Sequence, residues 1–320
     1  MNKFQIFALK SLRKTYQFIV KTEVNIKPEC IQDANVASQI IFDVLTSDNS
    51  CMIGRFGAFE LSVLVNYLGV IKGENKINYI TLKQPQWWWE TSLIKSMKSN
   101  AGFFPPTQEK IENFSMLMLQ DIPSLDILGS WLPNEILFEK ELKNCLKINF
   151  ELLNPYFSKI QWTKALEGKK VLVVHPFART IESQFEKREL LFKDNILPTF
   201  ELKTIQAVQS IAGNQTRFSD WFEALDYMKS EIDKVDYDIC LIGCGAYGFP
   251  LAAHVKRMGK KAVHMGGSLQ LLFGIKGKRW ENPDYNPVYN YAQLMNEHWV
   301  YPAEEEKPQN AASVEGGCYW

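Results

Sequence analysis

Tyr237–Gly267 reads YDICLIGCGAYGFPLAAHVKRMGKKAVHMGG. Its apolar run Ile239–Ile242 suits a short strand buried on both faces. The run ends in a G-x-G-x-x-G turn, Gly243 to Gly248. A helix is expected next, with Pro250 in its first turn, and then a short strand within Ala262–Gly267. Strand, glycine turn, helix and strand in that order predict a βαβ unit and a parallel sheet.

The same alternation continues upstream. KKVLVVHPF, Lys169–Phe177, predicts a buried parallel strand, and a helix follows it. Phe200–Val208 is strand-like. Phe218–Val235 has the period of an amphipathic helix, with Ser219 or Asp220 as its cap. Nearer the start, Ile31–Leu45 predicts a helix and SDNS at Ser47–Ser50 a turn. CMIGRFGAFELSVL, Cys51–Leu64, begins as a strand and becomes a helix. Ser124–Trp131 and Cys145–Phe150 are further short strands. Residues 75–125 read as helical and aromatic, with QPQWWWE and NAGFFPP among them. The expected fold is therefore α/β: a Rossmann-like, mostly parallel sheet with helices on both faces and a helical, aromatic-rich insertion.

The glycine turn suits phosphate chemistry. Glycines permit close backbone approach, and free N–H groups at a helix start attract anions. A dinucleotide site also wants an acidic residue about 20 residues on, to hold a ribose. The next strand, KAVHMGGS, has none. A methyltransferase would need more sheet downstream than the remaining residues can supply. A cradle for another nucleotide survives, built on Gly243, Gly245, Tyr247 and Gly248. A turn made for packing alone is the competing reading. Two more loops leave strands on the same expected edge. One carries His175 and Arg179, the other His264, Gly266 and Gly267. Lys276, in GIKGKRW, adds charge nearby. His254 sits in a helix, where a structural role is expected.

Arg55 stands at the tip of its strand and Glu60 on the first turn of the next helix, with Gly57 between them. Arg55 could fork onto a phosphate. Glu60 could ligate a metal or act as a general base. The two could also simply pair and staple the turn.

IGRFGAFEL resembles the RFGDGE-type motif of the GT-D glycosyltransferases, a bacterial family that transfers a sugar from a nucleotide sugar. The late glycine turn, helix and short strand are similar to that family's as well. NAGFFP and DILGSW resemble proteins of bacterial polysaccharide gene clusters. The likeness covers both ends of the region from about 50 to 275. It implies a nucleotide-sugar donor, a glycan or lipid-linked acceptor and a Mn²⁺ or Mg²⁺ ion held by an acidic pair. In this chain the first acid of that pair falls on Ala58, which cannot ligate, and leaves Glu60. Either Glu60 holds an ion with waters, or Arg55, Arg179 or Lys276 replaces the ion, or Glu60 has become the base. Arg55 and Glu60 are thus the catalytic candidates. Trp87–Trp89 with Phe103 and Phe104 are candidates for an acceptor wall. An NAD or FAD oxidoreductase and a non-catalytic subunit of a polysaccharide assembly complex are the alternatives.

Composition limits the rest. The chain has 320 residues, 46% of them apolar, and 36 basic residues balance 36 acidic ones. Zero formal charge argues against a nucleic-acid binder. Six cysteines form no CxxC pair, which fits the reducing cytosol. Residues 1–22 are too charged for a secretory signal. They read instead as a basic amphipathic helix, either resting on the inner face of the plasma membrane or docked on its own domain. Three regions are expected: residues 1–30 carrying that helix, a catalytic domain at 31–301, and a tail at 302–320. The aromatic end of the tail is expected to pack against the domain. A homo-oligomer is compatible with all of this.

Overall fold

The computed structural model describes residues 1–20, 26–314 and 317–320. The expectations that touch 21–25 and 315–316 lie outside the described residues.

Seven strands form one sheet: β1 (Cys51–Gly54), β2 (Ile127–Ser130), β3 (Leu146–Asn149), β4 (Lys170–His175), β5 (Glu201–Gln206), β6 (Ile239–Ile242) and β7 (Lys261–His264). Their order is β3-β2-β1-β7-β6-β4-β5, and every pairing is parallel. The helices are α1 (Lys3–Val20), α2 (Ala34–Thr46), α3 (Ala58–Lys72), α4 (Lys76–Ile80), α5 (Thr91–Ala101) and α6 (Gln108–Asp121) in the first half. In the second half they are α7 (Ala178–Phe185), α8 (Arg188–Leu191), α9 (Trp221–Asp233), α10 (Gly248–Arg257), α11 (Leu269–Leu272) and α12 (Lys278–Glu281).

The inner strands are mostly apolar because both their faces are covered. Leu172 and Val174 of β4 face a core with α3, α5, α6, α9 and α10. Val171 and Val173 face a second core with α2, α7 and α11. That is the two-residue period of a strand, sandwiched between two helical layers. β5, an outer strand, carries exposed Glu201 and half-buried Lys203, charges that keep the edge from pairing with another chain. Asp220 caps α9, as expected, by accepting from the Glu223 N–H at 2.9 Å. His254 of α10 is structural, with Nε2 2.8 Å from Asp233 Oδ1.

Two local expectations are corrected. Trp87–Trp89 lie in irregular chain rather than on a helix. Their rings pack on Tyr79 and Tyr67, at centroid distances of 5.0–6.2 Å. Phe103 is buried against Phe114 and Trp221. Phe104 packs against the same core. Phe103 is fully buried, so it cannot face an acceptor, and Trp87–Trp89 serve packing at least in part. The helix expected after β4 is also broken, into α7 and α8.

Candidate active site

Because all seven strands are parallel, all their carboxyl ends meet at one edge. Across that edge stand Glu151 after β3, Trp131 after β2, Arg55 after β1, Gly266 after β7, Gly243 after β6 and His175 ending β4. The chain leaves β4 towards β5 on one side and leaves β6 towards β7 on the other. β4 and β6 are neighbours, so a topological switch point lies between them, where open α/β sheets bind ligands.

A cavity of about 100 Å³ opens there. His175, Gly243, Gly245, Tyr247, Gly267 and Trp320 are among its walls. The structure thus brings together residues from three of the loops singled out in the sequence. The glycines serve different ends. Gly245 adopts φ +58°, a left-handed conformation that a β-branched residue resists. A Cβ on Gly243 would sit 2.6 Å from the Gly266 carbonyl oxygen and 2.8 Å from the His175 ring. Gly248 leaves room for the His264 ring, and Gly267 for the Tyr319 ring. Part of the motif therefore serves packing, and part shapes the cavity wall.

The two edge histidines are neutral. Burial pushes both down to about 3, and the nearby Arg55 charge adds to this at His264. His175 Nδ1 accepts from the Phe177 N–H at 3.0 Å, so its other nitrogen carries the proton and can donate. His264, the last residue of β7, is buried against Gly54 of β1 and Gly248 of α10, a structural position.

Arg179 and Lys276 do not join the cavity walls. The Arg179 side chain is exposed. Its backbone N–H donates to Glu306 Oε1 at 2.8 Å, and that of Thr180 to Oε2 at 3.2 Å. The tail thus places its own buried carboxylate on the first turn of α7, where a phosphate had been expected. Lys276 Nζ lies 5.8 Å over the Tyr301 ring.

Arg55 is half-buried. Its Nε donates to Phe56 O at 3.2 Å, and its guanidinium carbon lies 5.2 Å from the Trp131 ring centre. On its other side it reaches Gly266: a Cβ there would be 3.4 Å from Nη1. Glu60 does not staple the turn through Arg55. Its carboxylate folds back over Gly57 and accepts from its own N–H. Burial pushes it above the usual value, with Arg55 opposing from a distance.

Trp131 also borders a second cavity, of about 460 Å³, at the ends of β2 and β3. Its walls mix aromatic rings (Trp131, Phe150, Tyr289) with polar groups (Gln32, Asn149, Glu151). Glu151 is held by Asn286 at 2.8 Å and by the Tyr291 hydroxyl, and burial raises its pKa.

The sequence reading missed several of these residues. Tyr319 and Trp320 close the first cavity, and the aromatic end of the tail was the available signal. Gln270 holds the tail by donating to the Tyr319 carbonyl oxygen at 3.1 Å. The buried Trp320 indole N–H has no hydrogen-bond partner. Trp131 closes the DILGSW stretch but had no role assigned to it, and Glu151 carried no local motif.

The residues do not fit a resident divalent metal. Among the described residues, no group of three or more His, Cys, Asp or Glu side chains could hold one. Glu60 stands alone beside Ala58 and Phe59, one carboxylate where a hard divalent cation wants several oxygen ligands.

No family model matches the chain, and no curated protein matches it. Two solved structures are similar. One, "Selenomethionine substituted structure of domain of unknown function 1792", shares 12% identity at a TM-score of 0.34. It covers 91% of this chain and 98% of its own. The other, "The highly conserved domain of unknown function 1792 has a distinct glycosyltransferase fold", shares 12% identity at 0.33, covering 81% and 82%. Likeness this distant says nothing about chemistry, and the functional reading rests on the chain's own residues.

Proposed function

We propose that this chain is a glycosyltransferase that moves a sugar from a nucleotide sugar to a glycan or lipid-linked acceptor, in bacterial surface polysaccharide synthesis. The observation that carries the reading is the position of Arg55. It lies against Trp131, in the wall of the second cavity with its aromatic and amide groups, and near Gly266, next to Gly267 in the wall of the switch-point cavity.

In this reading the nucleotide lies against the 243–248 turn. His175 donates from its protonated nitrogen, and the Tyr319–Trp320 pair offers stacking surface and one unpaired N–H. Arg55 meets the diphosphate and stabilises the charge that builds as the bond to the anomeric carbon breaks. Glu60, with its raised pKa, takes the proton from the acceptor hydroxyl. Trp131 and Phe150, in the wall of the second cavity, meet the acceptor sugar. Small-molecule sites usually enclose roughly 300–1,000 Å³. The first cavity is smaller, so the tail carrying Trp320 shifts outward to admit the donor.

The test is a thermal-shift screen of nucleoside diphosphates and their sugars, with and without Mn²⁺, followed by a transfer assay with the stabilising donor. Stabilisation by one nucleotide class and transfer from its sugar support the reading. A flat screen, together with cofactor absorbance in the purified protein, would favour an oxidoreductase instead.

A further inference from the structure

α1 lies on the domain by one face only. Leu9 is buried there. Arg13 Nη1 donates to Gln84 O at 3.0 Å and to the Tyr79 carbonyl oxygen, and its guanidinium lies 4.5 Å over the Tyr79 ring. Lys10 pairs with Glu90. This agrees with the reading of a helix docked on its own domain, but it accounts for half of the helix surface.

The outward face is open and carries most of the helix's exposed apolar residues, with the polar Ser11 and Thr15 interspersed among them. Phe4 is 78% exposed, Phe7 69% and Phe18 85%. At about 100° per residue, these three fall within an arc of roughly 60°. Ile19 and Leu12, also exposed, widen the stripe on one side. Lys3 and Lys14 border it on the other. Three exposed phenylalanines on one helix face, Phe4 and Phe7 within a turn of each other and Phe18 roughly 16 Å further along, exceed the single scattered apolar residues of an ordinary surface. No described helix is long and apolar enough to cross a membrane.

We propose that α1 seats the protein on an anionic lipid surface, with the phenylalanine stripe at the headgroup–acyl boundary and the bordering lysines on acidic headgroups. Charge decides between this occupant and a second copy of the chain. Lys3–Val20 contains no acidic residue. Stripe-to-stripe pairing of two copies would bring lysine towards lysine with no carboxylate in either helix. An anionic surface supplies the missing counter-charge, and lysine stems can lie along the apolar boundary while their ammonium groups stay wet. The proposal stands whatever reaction the sheet edge catalyses.

The test is co-sedimentation of the full chain with vesicles of phosphatidylcholine alone or mixed with phosphatidylglycerol. Wild type should sediment with the mixed vesicles, hardly at all with phosphatidylcholine, and less as salt is raised. The triple variant Phe4→Ser, Phe7→Ser, Phe18→Ser should lose about tenfold or more in partitioning. Its thermal unfolding should be unchanged, because these rings are exposed. Lys3→Gln and Lys14→Gln should each weaken binding by about fivefold. Failure of wild type to bind phosphatidylglycerol vesicles, or equal binding by the triple variant, overturns the proposal. A wild-type dimer that the triple variant dissolves, with no vesicle binding, would overturn it in favour of self-association.

Discussion

Arg55 and Trp131 are fixed by a single oxygen. Arg55 Nε and Trp131 Nε1 both donate to the Phe56 carbonyl, at 3.2 and 3.1 Å, and the guanidinium lies over the indole. Strands β1 and β2 therefore present one preset unit at the middle of the sheet edge. Arg55→Lys would keep the charge but lose the fork and the Nε bond. A loss of tenfold or more in kcat/KM is expected, with unfolding stability changed by no more than about 1 kcal/mol. Wild-type turnover in this variant would make Arg55 a packing residue.

Glu60→Gln is expected to abolish transfer while the protein folds normally. A carboxyl raised by burial contributes its stability below its usual value of 4.5 and loses it as pH rises through the folded value. The neutral amide escapes that loss but gives up a negative charge at a helix start, worth about 0.3–1 kcal/mol. The two effects oppose, so the melting temperature at pH 7 should barely move. The acid limb of the pH–rate profile should end with the carboxylate. An unchanged acid limb in a slower variant would assign that limb to another group.

Glu306→Ala should cost about 1–2 kcal/mol, since it strips the acceptor from two backbone N–H groups of α7. It should also loosen the tail and speed nucleotide entry. Stopped-flow binding reads the second effect. Entry no faster than in wild type, with an intact fold, would mean that the tail does not limit access to the site.

Turnover is expected to persist in excess EDTA, because position 58 offers a methyl group and no described cluster can hold an ion. Complete loss restored by Mn²⁺ would show that Glu60 and the substrate phosphates suffice to bind one.

Stability should fall as pH drops below about 6.5. His175 and His264 are neutral when folded, with values near 3, and take up protons more readily when unfolded. Their contribution is complete above the unfolded value near 6.5 and is lost on the way towards 3, by up to about 1.4 kcal/mol per pH unit for each. Denaturant unfolding of wild type and His264→Gln between pH 7 and 5 measures this. Parallel curves would refute the assignment at His264.

The strands were legible because Val171–Val174 and Ile239–Ile242 are short apolar runs between polar turns. The sheet order was not, since nothing local says that β7 inserts between β1 and β6. The switch point depends on that order. Arg55, His175 and the glycines could be assigned to the edge from their positions after strands. Their partners could not. Glu306 reaches α7 across 126 or more residues, and Tyr319 folds onto Gly267 from the far end of the chain. Trp87–Trp89 were expected on a helix but lie in irregular chain, packed on Tyr67 and Tyr79, a surface that sequence spacing cannot reveal.

The central claim is that a nucleoside diphosphate occupies the crevice between β4 and β6. Amide hydrogen exchange of the full chain, with and without the most stabilising nucleotide of the screen, tests it most directly. Protection is expected at 243–248 and 175–178, with a change at 317–320 as the tail adjusts. Protection confined to other parts of the chain, with these segments unchanged, would contradict the account.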